Sequence, residues 1–232
     1  MKKTMVSVVL IAALMGLGQA VVFAQMESEA GPEKDRVLKS IDVFKDLLAI
    51  PEKGIPPALL HKARAIAIIP GFLKAAYVIG GEHGKGVVCV RHDDGAWSDP
   101  AFISMTGGSL GFQIGVEKAD IILVFKDRES VETIANGKFT LGGSASVAAG
   151  PVGRSAQAST DINFVAEVYS YSRAKGIFAG ISINGASLDM DKSANERFYR
   201  NFDIKVDDIL YENPSAPPEA RELRNVLDKY AK

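Results

Sequence analysis

Apolar residues keep one spacing near the start of the chain, another through its middle and the first again towards its end. Between residues 33 and 48, Val37, Leu38, Ile41, Phe44, Leu47 and Leu48 recur at intervals of three and four, which marks one face of a helix. The pattern stops before Pro51. Ile55-Pro56-Pro57 then opens a shorter helix to about Arg64, since proline is tolerated in a first helical turn. From residue 65 to 185 apolar residues fall in short runs rich in Val, Ile, Phe and Tyr, punctuated by glycine. This predicts strands near 65–69, 74–80, 86–92, 101–106, 109–116, 119–126, 145–149, 163–172 and 176–183. His92-Asp93-Asp94-Gly95 and Asn184-Gly185 read as hairpin turns. A helix over about 128–135, closed by Asn136-Gly137, interrupts the strands. After Leu188 helical spacing returns around 192–200. Past a proline-rich link at 213–218 it returns again over about 217–231, where Leu223, Val226, Leu227 and Tyr230 share a face.

Helices, then a glycine-rich sheet, then helices make an α+β fold. Eighteen of the 22 glycines lie between Gly71 and Gly185. That concentration suits bulges and bent strands, so the sheet is expected to be strongly curved, mainly antiparallel and of the kind that curls towards a barrel. No shift in composition divides the region, so residues 25–232 are expected to form a single domain with its core at about 35–212. Residues 1–24 read as a secretory signal peptide. Lys2 and Lys3 precede an apolar run, and Val22-Phe23-Ala24 fits a cleavage site after Ala24. The expected location is therefore the periplasm or the medium.

The chain carries 27 basic and 28 acidic side chains. This balance excludes a nucleic-acid binder that works through bulk basicity, so any anion site must be local. With Cys89 as the one cysteine, no disulfide can form within the chain. Three motifs bear on chemistry. Gly107-Gly108-Ser109-Leu110-Gly111 fits GxSxG, but strand-like residues follow it and His61, His83 and His92 all precede it, the wrong order for a nucleophile elbow. His83, Cys89 and His92 could suggest zinc, but on one strand Cys89 and His92 point to opposite faces. No catalytic residue, metal site or cofactor is expected. The third motif, Gly150-Pro151-Val152-Gly153-Arg154, could cradle an anion with backbone N–H groups and an arginine. Arg173-Ala174-Lys175-Gly176 adds a second basic turn. The helix of residues 33–48 mixes acids and bases on its polar face, which favours docking on the core over lying on a membrane.

Several motifs together resemble a known family. Trp97-Ser98-Asp99-Pro100, the run Gly108–Gly115, Gly150–Arg154, Tyr169–Gly180 and Asn195-Glu196-Arg197-Phe198-Tyr199 occur in the order found in SYLF domains, and the resemblance spans roughly residues 35–212. It implies a non-catalytic lipid-binding protein. Eukaryotic members bind phosphoinositide-containing membranes and some bind actin, but an exported chain without an attached SH3 or FYVE module leaves the headgroup open. Joined to the basic turns, the resemblance makes Arg154, Arg173 and Lys175, with Gly150 and Gly153, the expected contacts to a phospholipid headgroup. Trp97, Tyr169, Tyr171, Phe178 and Tyr199 are expected to fill the core. The alternative is an envelope structural or protein-interaction module with no lipid ligand, docking a partner through the C-terminal helix. The oligomeric state stays open.

Overall fold

A computed structural model of the chain describes residues 31–49, 54–127, 129–136, 139–151, 164–174, 177–180, 183–212 and 215–231. The leader read from residues 1–24 lies outside them. In chain order the elements are α1 (Gly31–Leu48), α2 (Pro57–Lys62), β1 (Ala65–Val90), β2 (Ala101–Phe125), α3 (Glu129–Asn136), β3 (Phe139–Thr140) and β4 (Val147–Ala149). They continue with β5 (Val168–Ala174), β6 (Ile177–Gly180), β7 (Ser187–Met190), α4 (Lys192–Tyr199), α5 (Val206–Tyr211) and α6 (Pro218–Tyr230). Among the described residues no helix is long and apolar enough to cross a membrane.

The main departure from the expected strands is fusion. The three runs expected at 65–69, 74–80 and 86–92 form one strand of 26 residues, and the next three form one of 25. The pair is antiparallel, from Ala65 opposite Phe125 to Val88 opposite Ala101, with register shifts between Ile69 and Phe72 and between Ala76 and Val78. A glycine-punctuated run ends a strand or bends it, and here the glycines bend. Straight, β1 would reach about 85 Å, roughly twice the width of a folded chain of this size. Instead it doubles back on itself. A β carbon on Gly86 would lie 2.2 Å from the Ile68 carbonyl oxygen and 2.9 Å from the Ile69 α carbon, although 18 residues of straight strand would span about 60 Å. Only glycine admits that approach. The Arg91 N–H donates to the Arg64 carbonyl at 2.8 Å, so both ends of the strand meet.

Among the described residues β2 is the spine of a strongly curved sheet of seven strands, of order β3-β7-β2-β5-β4, with β1 paired to β2 and β6 to β5. It pairs β7 through Ile103–Thr106 and β5 through Asp120–Phe125. β4 and β5 are parallel and the other pairs are antiparallel. The turn at His92–Gly95 forms as expected: the His92 N–H donates to the Ala96 carbonyl at 2.8 Å, and Arg91 bridges to Trp97. The Arg173 turn also joins antiparallel neighbours, with Ala174 opposite Ile177. Asn184-Gly185 makes no hairpin, because β6 pairs with β5 while β7 joins β2 and β3. It is a bend, with Gly185 at φ +81° and its N–H on the Leu141 carbonyl. β7 and α5 were not anticipated.

The core lies between the sheet and helices α1 and α6. Val37, Ile41, Phe44 and Leu47 of α1 are buried, so the charge-balanced first helix docks inward, at about 1.5–3 kcal/mol per large apolar side chain. Asp191 caps α4 by accepting the Ala194 N–H, and Arg200 closes that helix in the left-handed region. Trp97, Tyr169, Tyr171 and Tyr199 are buried as expected. The side chain of Phe178 lies outside the described set.

Gly86→Ala is expected to cost about 2–4 kcal/mol, because the added methyl meets main chain that cannot step aside. A urea midpoint lowered at unchanged slope would show this, whereas a loss below about 0.5 kcal/mol would mean the close approach is absent.

Candidate functional site

The two basic turns divide on inspection. Arg173 ends β5 directly opposite Asp120 of β2. Its Nε donates to Asp120 Oδ2 at 2.8 Å, its Nη2 lies 2.7 Å from the same oxygen, and its Nη1 donates to Asp46 of α1. Asp120 also accepts the Gly71 N–H at 2.8 Å, at the first register shift of β1. Burial opposes the arginine's charge, but the hydrogen bonds and charges of Asp46 and Asp120 outweigh it and raise its pKa. The guanidinium is thus a clamp between α1 and the sheet, not the free phosphate contact expected from its basic turn. Gly150 is also occupied. Its N–H donates to the Ser170 carbonyl at 2.9 Å, and a β carbon there would sit 2.1 Å from Tyr171 Cζ. The Tyr171 hydroxyl donates to the Pro151 carbonyl at 3.3 Å. The backbone at Gly150 therefore supports a buried ring instead of opening into an anion nest. Gly153, Arg154 and Lys175 lie outside the described residues.

The Trp97–Pro100 segment forms a buried clasp under α6. The Trp97 backbone N–H donates to Asp228 at 3.0 Å, and its indole N–H to the Ala231 carbonyl at 3.4 Å. The Ser98 hydroxyl accepts the Val90 N–H and donates to the Asp99 carbonyl, while the Tyr199 hydroxyl donates to the Pro100 carbonyl. Asp99 is fully buried, neither carboxylate oxygen has a hydrogen-bond partner among the described residues, and Arg224 of α6 approaches to 3.4 Å. Burial pushes its pKa up, and the charges of Arg224 and Arg221 oppose that without cancelling it. Lys34 pairs with Glu219 at 2.6 Å and Lys45 with Glu222 at 3.4 Å. Ala220, Leu223, Val226 and Leu227 are all buried. The apolar stripe of the C-terminal helix is therefore part of the core, which corrects the expectation that it docks a partner.

Ser109 sits within β2 opposite Gly80, not at a turn between strand and helix. Burial drives the Cys89 thiol pKa far up, and His92 Nε2 lies 2.6 Å from the Leu210 carbonyl. Among the described residues no three metal-ligating side chains cluster.

Sequence reasoning missed a pocket of about 520 Å³ at the meeting point of the β1 and β2 ends. It is lined by His61 and Lys62 from the end of α2, Arg64, Arg91, His92 and Lys126, with Asp93 and Gly95. The Arg64 backbone donates to Phe125 and accepts from Arg91, which draws three cations far apart in sequence into one wall. Spacing along the chain carries no trace of this. A double-backed strand is what makes them neighbours.

The comparisons with known proteins agree with one another. The model of the Ysc84 family, described as "Las17-binding protein actin regulator", matches residues 106–230. SH3 domain-containing YSC84-like protein 1 is 35% identical over 203 residues in Xenopus laevis, covering 85% of this chain and 60% of that protein. The Homo sapiens protein of the same name is 36% identical over 203 residues, covering 85% and 59%. Protein YSC84 of Saccharomyces cerevisiae is 40% identical over 184 residues, covering 78% and 39%. The chain thus spans about three fifths of the vertebrate relatives and about two fifths of the yeast one.

Asp99 gives the clasp a pH signature. A carboxyl whose folded pKa exceeds its unfolded value near ~3.9 favours the fold most below that value, and the contribution is lost as pH rises through the folded pKa. Thermal midpoints of Asp99→Asn and the parent, compared from acid to neutral pH, should diverge in the variant's favour as pH rises. A pH-independent difference would contradict the buried carboxylate.

Proposed function

The chain belongs to the Ysc84 family, the one its SYLF-like motifs resemble, and from that premise we propose that it is a non-catalytic binding domain whose principal ligand is another protein. The observation that carries this reading is the match over 85% of the chain to relatives of a family described as Las17-binding. It is supported by the use of half-buried ionic groups. Arg173 and Arg197 join elements together, the latter through Glu33 at 2.8 Å, so they act as struts for a rigid surface. On that surface Leu73 and Val116 are 44% and 74% exposed. They lie diagonally on one face of the β1–β2 pair, given Leu73 opposite Lys118 and Ala75 opposite Val116. A partner that covers this pair is the reading we favour, at the cell envelope to which the leader at residues 1–24 would send the chain.

Contact with anionic headgroups is a second reading. It is supported by the SYLF resemblance, by Arg154 and Lys175 in the sequence, and by the cationic pocket.

A photo-crosslinking residue at Val116 in cells is expected to yield a discrete protein adduct that Leu73→Asp weakens. Adducts to lipid alone, or none from a folded protein, would contradict the protein-docking reading. For the second reading, phosphatidylglycerol vesicles should co-sediment the protein less as salt rises and less for Arg154→Ala combined with Lys175→Ala. Binding unchanged in that variant would count against those two residues.

A further inference from the structure

The pocket between α2, the His92–Gly95 turn and the end of β2 differs electrostatically from its surroundings. Four arginines elsewhere, Arg36, Arg173, Arg197 and Arg224, each lie within 4.0 Å of at least one carboxylate. Lys62, Arg64, Arg91 and Lys126 have no carboxylate that close among the described residues, and Asp93 is the sole acid in the lining. Two lysines, two arginines and two imidazoles thus share one concave wall against one acid.

The cations are also positioned. Arg91 Nε donates to the Gly95 carbonyl at 3.2 Å and Nη1 to the His61 carbonyl at 3.0 Å, with the guanidinium 5.9 Å from the Trp97 ring centroid. The fork is held in one plane while Nη2 has no hydrogen-bond partner among the described residues. Lys126 donates to the Phe164 carbonyl and lies 5.8 Å from the Tyr169 ring centroid. Lys62 stands over the Phe164 ring at 5.3 Å. Burial first, and the nearby Lys62 charge second, push the Lys126 pKa down. Asp93 in the wall, and Asp127 and Glu167 near Lys126, offset part of this positive charge, and an incoming anion relieves the repulsion that remains among the cations.

We propose that this pocket is a binding site for a phosphate-bearing anion. A phosphate group offers several acceptor oxygens in divergent directions, which suits a fixed guanidinium lining the same pocket as two lysines, and its charge suits a wall this cationic. The volume of about 520 Å³ admits the phosphate with an attached group. The inference does not depend on a protein partner, and it uses none of the residues of the 150–154 and 173–176 turns.

The test is titration calorimetry of the full chain with pyrophosphate, alongside co-sedimentation with phosphatidylglycerol and with phosphatidylcholine vesicles. Lys62→Ala combined with Arg64→Ala should weaken binding about tenfold, at an unchanged thermal midpoint. Pyrophosphate binding without vesicle binding identifies a soluble phosphate compound. Binding confined to phosphatidylglycerol vesicles identifies a lipid headgroup, and both support the site if the pocket variant is impaired. Absence of all binding, equal binding to phosphatidylcholine, or binding indifferent to the pocket variant would overturn it.

Discussion

The fold turns on one close approach, that of the Gly86 backbone to the main chain of Ile68 and Ile69. A strand of 26 residues cannot lie straight in a protein of this size, so it must either break or fold over. Folding over requires a position without a side chain where the strand meets itself. Its consequence is topological. The beginning and end of β1 become neighbours, sealed by the hydrogen bond from Arg91 to Arg64. β2, paired along its length, is carried through the same bend and offers its two halves to β7 and β5.

The helices are fastened to this bent hairpin by apolar burial and by a few buried or half-buried ionic groups. Arg173 ties α1 to the sheet at the bulge, and Arg197 with Glu33 ties α1 to α4. Asp191 joins the cap of α4 to Lys85 on β1 at 3.0 Å. The Trp97–Pro100 segment receives α6, which places the last turn of the chain against the one tight turn of the long hairpin. Buried ion pairs are weak contributors to net stability but costly to break singly, so such links serve orientation more than strength.

Much of this was legible in the residues, and the failures have physical causes. The three- and four-residue spacing identified α1 and α6 because each buries a single stripe. The turn at 92–95 was legible because Asp-Asp-Gly has few alternatives. Strand fusion was not, since a glycine that ends a strand and a glycine that lets one bend look alike in sequence. β7 escaped because Leu188 is its one fully buried residue, and α5 because six residues give periodicity little room. Arg173 looked free because Asp46 and Asp120 lie 127 and 53 residues away. The SYLF resemblance identified the family from motifs that prove mostly structural: Trp97, Asp99, Gly150, Tyr171 and Tyr199 are all taken up in the interior. The cationic pocket, assembled from segments around residues 62, 91 and 126, had no local signal at all.

The doubling back of β1 is best tested by nuclear Overhauser contacts in solution, because the residues that must touch are distant in sequence and lie on one strand. Cross-peaks from the Gly86 α protons to Ile68 and Ile69, together with one between Arg64 and Arg91, are the expected result. A β1–β2 ladder with its cross-strand contacts intact but none of these peaks would mean that the hairpin is extended, and the account of both the fold and the pocket would fall with it.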